Sequence, residues 1–440
     1  MTEQPGQNEE QPAGKPASTR LFTTVFIAIV GVTLCCFTAS QGLNAGTSVY
    51  IDKLGGSATL AGIGAAVFSG AALVARLLCG TLADSRGRLK VMVAGVVTLL
   101  IGILGAGISA NLEIIMVWRT LQGLGFSACT TAAATAAADV LPAERLGEGI
   151  GYYGLGQAIA MSIGPALAIA LVSTEPAENL FWGLAIAAGI GLVLCLFCRY
   201  ERHPERLPET STYRRLKLEE RAENPANAPA GKAERESMAS KILEPGALAG
   251  GIPIMFLSPA FGFGIFFVGL FGTQLGVGNA GLFYTLSALS MIVVRISSRA
   301  FMDRVLPIKL FAVAVVSGIV CYLILLCVSL DVVEGIGIDV LFYVAGIFYG
   351  LCLGMALPVN QTVAVKNSPA ERWGAANGLF MLLFDVGIGI ASVVWGITND
   401  QLGFPITICC VLALIAISFG AALVTYPASA KRRASRPESR

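Results

Sequence analysis

This 440-residue chain is short of charge. Only 13% of its residues are Asp, Glu, Lys or Arg, against roughly 25% in a soluble globular domain. With 55% hydrophobic residues and a mean hydropathy of +0.73, it has too little polar side chain to cover a soluble surface. Histidine is almost missing. His203 is the only one, and it lies in a polar central segment, which excludes a His-based metal site or proton relay at membrane depth. The phosphate-cradling G-x-x-x-x-G-K-[ST] loop is absent, so ATP does not drive the protein directly. Short strands of alternating polarity, which a membrane β-barrel needs, are absent as well. No His pair and no Ser with a base cluster near one face, and the longest internal polar stretch runs over 200–243 only. A membrane enzyme or sensor is therefore the remote alternative. No cofactor, metal or nucleic acid partner is expected, and the chain is read as a monomer.

Residues 1–20 hold Glu3, Glu9, Glu10 and three prolines. That is not the charged start and short apolar run of a cleavable signal, so the first span is expected to stay as an anchor. All eleven cysteines fall in predicted spans and read as small apolar packing residues. Cys195 and Cys198 form a C-x-x-C, but on an apolar helix with no second pair nearby.

What the chain does have is apolar runs. A hydrocarbon core about 30 Å thick takes about 20 apolar residues in a helix, and backbone in lipid must satisfy its own hydrogen bonds. Such runs lie near 21–43, 58–80, 89–109, 113–137, 149–172 and 180–199, then near 244–270, 279–301, 308–329, 336–365, 371–397 and 402–426. The expected fold is all-α and integral to the membrane, with twelve transmembrane helices in two six-helix bundles. The bundles occupy 21–199 and 244–426, joined by a solvated linker at 200–243, with polar tails at 1–20 and 427–440. Of the 30 Lys and Arg, Lys53 alone falls in a loop on the side opposite the N-terminus. Both termini are therefore predicted to be cytoplasmic, in a multi-pass protein of the plasma membrane.

The two halves read as copies. Val74, Arg76, Asp84 and Lys90 match Val293, Arg295, Asp303 and Lys309 at one offset, and PAERLG at 142–147 recurs as PAERWG at 369–374. Parallel repeats with a substrate site between them are a transporter architecture.

The segment Gly80-Thr-Leu-Ala-Asp84-Ser-Arg86-Gly87-Arg88-Leu-Lys90 resembles the signature loop of the major facilitator superfamily. Arg119-Thr-Leu-Gln122-Gly123 resembles its second signature, and Gly164-Pro165 the antiporter signature of its exporter-type members. Ala168 and Ile169 replace later glycines of that third motif, and the first span carries no acid or base. The resemblance implies a conformational latch built from Gly80, Asp84, Arg86, Gly87, Arg88 and Lys90. Arg76 and Arg295 are expected to partner Asp84 and Asp303. On the residues alone, the latch's basic groups could equally do no more than set topology against an anionic surface.

A charge inside the bilayer costs a few kcal/mol or more, so each one needs a reason. Asp385 lies mid-span in LLFDVGIGIASVVWG. A carboxylate without a partner in a low-dielectric site holds its proton more readily, which suits a proton-coupling residue. A structural carboxylate paired with an arginine is the other reading. Arg119 and Gln122 can share a helix face, and with Asn360 and Gln361 they are candidates for the substrate cavity; snorkelling to the interface is the alternative for Arg119. The function expected is secondary active transport of small organic solutes, by proton-coupled efflux through alternating access. Proton-coupled uptake on the same fold is the alternative.

Overall fold

The computed structural model describes three stretches of the chain: residues 21–202 apart from 110 and 143–144; residues 207–208, 211 and 213–215; and residues 244–434 apart from 302–304, 331, 333–335 and 370–371. Among these, every regular element is helical. The first half comprises α1 (Thr24–Lys53), α2 (Ala58–Arg86), α3 (Arg88–Ile108), α4 (Leu112–Val140), α5 (Leu146–Val172) and α6 (Asn179–Leu194). The second comprises α7 (Leu248–Phe266), α8 (Val268–Gln274), α9 (Gly281–Phe301), α10 (Pro307–Ser329), α11 (Ile336–Lys366) and α12 (Trp373–Ala434).

Local chemistry sets the ends. The Thr23 hydroxyl accepts from the Phe26 amide at 3.2 Å, the Ser57 hydroxyl from Leu60 at 3.2 Å, and the Asn111 carbonyl from Glu113 at 2.8 Å. Each satisfies one of the donors that a helix start leaves without a partner. The signature segment is helical through Arg86 and turns only at Gly87, whose φ of 100° lies in the left-handed region that favours glycine.

Nine helices among the described residues are long and apolar enough to cross a membrane. One of them, Ala376–Tyr426, has 51 residues and would be about 77 Å long if straight, more than twice the hydrocarbon thickness. It breaks at Gly403 (φ 81°), so α12 crosses twice. The long run near 244–270 becomes α7 and α8, meeting at Phe267 to make one crossing. With α4 and α9, which carry charges, this gives the twelve crossings expected from the sequence.

Within the first half, α1 packs on α5 and α6, and α4 on α2 and α3; within the second, α7 packs on α11 and α12, and α11 on α9 and α10. The halves meet where α2 lies along the first part of α12 and where α5 lies along α9. The α2–α12 seam is antiparallel and has a readable register. Gly62, Ser69 and Arg76 recur every seven residues on α2, while Asp385, Gly389, Ser392 and Gly396 line the facing stripe of α12.

The seam is tight at one end only. A Cβ on Gly62 would overlap the Ser392 carbonyl, and one on Gly396 would stand 2.6 Å from the Ala58 carbonyl. At Gly389 the nearest atom, on Ser69, is 3.3 Å away, and at Gly378 nothing lies within 4 Å. The halves are thus closed at the Asp400 end and part toward the Gly87 end.

Candidate functional site

The polar groups at membrane depth fall into separate clusters. At the seam, Arg76 Nη2 stands 3.3 Å from Asp385 Oδ2, joining α2 of one half to α12 of the other. Both side chains are partly exposed, 32% and 23%, where the halves begin to part. Asp385 lies 12 residues into α12, about 18 Å along it, so this ion pair sits well inside the bilayer. Arg76, expected beside Asp84, therefore reaches across to the opposite half. Phe384, next to Asp385 in the chain, packs on Phe261 of α7, ring centroids 6.1 Å apart.

The repeat places Arg295 on α9 at the position equivalent to Arg76, facing α5. There Nη1 donates to the Gly154 carbonyl at 3.3 Å. Ala158 stands in α5 where the repeat puts Asp385 in α12, so the described part of this seam contains no matching carboxylate. The two seams are related by duplication, yet only one holds an ion pair between halves among the described residues.

Arg119 and Gln122 lie deeper. Arg119 is 1% exposed, inside the first half among α1, α2 and α4. Its Nη2 donates to Asn44 Oδ1 at 2.7 Å, Nη1 to Gln122 Oε1 at 3.1 Å, and Nε to the Gly64 carbonyl at 3.3 Å. Its guanidinium also lies over the Phe68 ring, 4.6 Å from the centroid. Gln122 passes the chain on to the Gly102 carbonyl at 2.9 Å. All these described partners are neutral. Asn360 is likewise enclosed, within the second half, between the Ala356 carbonyl and the Tyr426 hydroxyl. Gln361 is half-buried and donates to Asn377 at 2.6 Å.

The signature segment is split by the fold. Arg86 and Lys90 are exposed. The Gly80 and Asp84 side-chain positions, and Asp303, lie outside the described residues. Arg88, expected at the anionic surface, is 1% exposed and ion-paired with Asp139 at the end of α4. The other oxygen of Asp139 accepts from the Ser211 hydroxyl at 3.1 Å and the Tyr213 amide at 3.3 Å, and the Tyr213 ring lies under Arg88. Glu201 accepts from the Leu89 amide at 2.8 Å, capping the start of α3. Glu201, Ser211 and Tyr213 of the expected solvated linker are therefore packed onto the Gly87 end of the first half.

Gly164 and Pro165 are buried where α5 meets α1. A Cβ on Gly164 would stand 2.5 Å from the Thr38 carbonyl, so a larger residue there would force the two helices apart. Sequence reasoning missed Asp139, Glu201 and Asp400, all acids at helix ends or just past them. Their position in predicted loops or span termini made them look solvated, and the signal available was their placement beside a helix start or a basic motif.

The profile of the Major Facilitator Superfamily matches residues 29–338 and 335–440. The Staphylopine export protein of Staphylococcus aureus (strain Mu50 / ATCC 700699) is 26% identical over 382 residues, 86% of this chain and 90% of that protein. The uncharacterized MFS-type transporter YhhS of Escherichia coli (strain K12) is 22% identical over 422 residues, 93% of this chain and 94% of that one. Among solved structures, the nucleoside transporter NupG matches with a TM-score of 0.65 at 16% identity, covering 93% of this chain and 100% of that one. An inward-facing, unoccupied bacterial homolog to the human lysosomal transporter Spinster matches with a TM-score of 0.61 at 15% identity, over 92% and 95%. At such identities the likeness to solved structures is one of fold.

Proposed function

The chain belongs to the Major Facilitator Superfamily, a multi-pass membrane transporter of small molecules rather than an enzyme, and we propose that it exports small organic solutes in exchange for protons. The observation that carries this reading is the Arg76–Asp385 pair, which joins the two halves where they begin to separate. A proton and a guanidinium compete for one carboxylate. When Asp385 is charged, it holds α12 to α2 through Arg76; when it takes a proton, that tie is lost.

The basic Gly87 end faces the cytoplasm in this reading, so the seam that parts toward it describes an inward-facing form. In that form Asp385 has given its proton to the cytoplasm and paired with Arg76, leaving the cavity to receive solute. After the halves rock to face outward, solute leaves and Asp385 is reloaded from the outer side. Arg119, with only neutral described partners, supplies positive potential one layer behind the cavity and favours a solute bearing a carboxylate or another anionic group. Export is supported by the coverage of the Staphylococcus aureus export protein across 86% of the chain.

The test is solute movement in proteoliposomes under an imposed pH gradient, with Asp385→Asn alongside and a mixed panel of organic acids, zwitterions and cations as probes. Movement of a solute opposite to the proton gradient, lost in the variant, is the expected result. Movement in the same direction as the protons would make the protein an uptake symporter. Indifference to the pH gradient, or a variant as active as wild type, would remove proton coupling at Asp385.

A further inference from the structure

Asp400 lies three residues before the Gly403 break, at the closed end of the seam, and its carboxylate belongs to the second half. Oδ1 accepts from the Ala58 amide at 3.0 Å and Oδ2 from the Thr59 amide at 2.7 Å, both at the start of α2 in the first half. Helix starts leave their first amides without intrahelical partners, and a carboxylate there gains from both hydrogen bonding and the helix dipole. Yet α2 already has its own cap, the Ser57 hydroxyl on the Leu60 amide. The donors that Asp400 covers have this protein acceptor only while the two halves touch.

Three further contacts close the same end. Gln274 at the end of α8 donates to Asp52 of α1 at 2.9 Å. Gly62 and Gly396 bring the α2 and α12 backbones together. On the other seam, a Cβ on Gly281 would stand 3.1 Å from the Ala166 carbonyl of α5. Of these contacts, Asp400 alone places a charged group on the opposite half's helix start, and its geometry reverses without unfolding either partner.

We propose that Asp400 is the clasp of this gate: a helix cap supplied by the opposite half, made when the end closes and broken when it opens. The inference rests on the alternating-access reading given above. When the end opens, Ala58 and Thr59 exchange a carboxylate for water, and the Gly62–Ser392 contact separates with them. The closed end is therefore poised by a contact that costs α2 little to lose, which is what a reversible gate requires.

The test is amide hydrogen exchange on the full chain in lipid nanodiscs, comparing wild type, Asp400→Asn and Asp400→Ala. The peptides followed cover the closed end (51–62, 269–281 and 392–403) and the open end (76–90 and 373–386). In Asp400→Ala, closed-end amides of both halves should exchange about tenfold faster, the size expected from losing hydrogen bonds to a charged group, with Asp400→Asn in between. Because Asn keeps one acceptor and the same shape, it guards against a merely misfolded Ala variant. Faster exchange confined to residues 58–60, or no change at all, would reduce Asp400 to a local cap and overturn the gate. Transport in proteoliposomes separates this from the larger reading. Gradient-driven transport by wild type with unchanged exchange in the variants removes only the clasp. Altered exchange with no gradient-driven transport removes proton-coupled export and leaves the clasp.

Discussion

A carboxylate at membrane depth and a guanidinium 3.3 Å away stabilise one another only while both are charged. Removing one partner therefore does more than delete an interaction, because it strands the other charge. Arg76→Gln should leave Asp385 without its cationic partner and abolish gradient-driven transport as completely as Asp385→Asn. The reversal Arg76→Asp with Asp385→Arg separates the two roles of the pair. It should recover thermal stability in detergent relative to either single reversal, while gradient-driven transport stays lost because the proton site has moved to the other half. Recovery of transport along with stability would mean that the pair is only a strut. Asp385 was visible in the sequence because it is a lone acid in a long apolar run. Its partner was not. Arg76 lies eight residues from Asp84 in sequence, which suggested a local pair, yet in a helix that spacing is about 12 Å of rise. The group it meets lies in the other half, and one chain's order gives no sign of that.

At the scale of elements, the Gly87 end of the first half is held by the buried pair of Arg88 and Asp139, with side-chain exposures of 1% and 4%. Asp139 joins α3 and α4 to Ser211 and Tyr213 through one carboxylate. Asp139→Asn would strand Arg88 and should destabilise the protein by about 3–5 kcal/mol, the range for breaking a buried pair. The measurement is the thermal unfolding midpoint in detergent, with Ser211→Ala expected to shift it far less, by about 1 kcal/mol. An Asp139→Asn midpoint within error of wild type would show that the pair contributes nothing net. The sequence pointed to a solvated linker at 200–243 because the stretch is rich in Lys, Arg and Glu. Composition cannot reveal that Glu201 and Ser211 meet waiting partners, the Leu89 amide and Asp139. By contrast, most spans were legible to within a few residues, because water exclusion leaves a helix as the open solution for an apolar stretch, although α1 runs on to Lys53, ten residues past the predicted end at 43. The break at Gly403 and the split of α7 from α8 fell within predicted spans or between them, so neither altered the expected number of crossings.

The whole molecule is closed at one end by backbones in contact and parted at the other, and glycines set how close that contact is. Gly62→Leu would place a side chain against the Ser392 carbonyl with no room for it. The closed end should then be forced apart, raising hydrogen exchange there and lowering gradient-driven transport at least about tenfold, while the protein still folds, since each half packs on its own helices. Gly378→Leu, at the open end where nothing lies within 4 Å, is the matched control and should leave exchange at the closed end unchanged. The duplication of the halves was legible in two short repeats, and their asymmetry was legible as well once aligned, since Ala158 replaces the equivalent of Asp385. What the sequence withheld was the consequence: among the described residues, an ion pair between the halves on one seam and not on the other.

The Arg76–Asp385 pair also has an electrical meaning. With Asp385 charged, the pair sums to zero; with Asp385 carrying a proton, Arg76 leaves the site at plus one. The proton-loaded carrier is then the form that feels the membrane voltage, worth about 2.3 kcal/mol per 100 mV for a full crossing. A cytoplasm held negative would pull that form inward, and on the return leg the pair adds no charge, so the voltage dependence of that leg is set by the charge of the solute it carries.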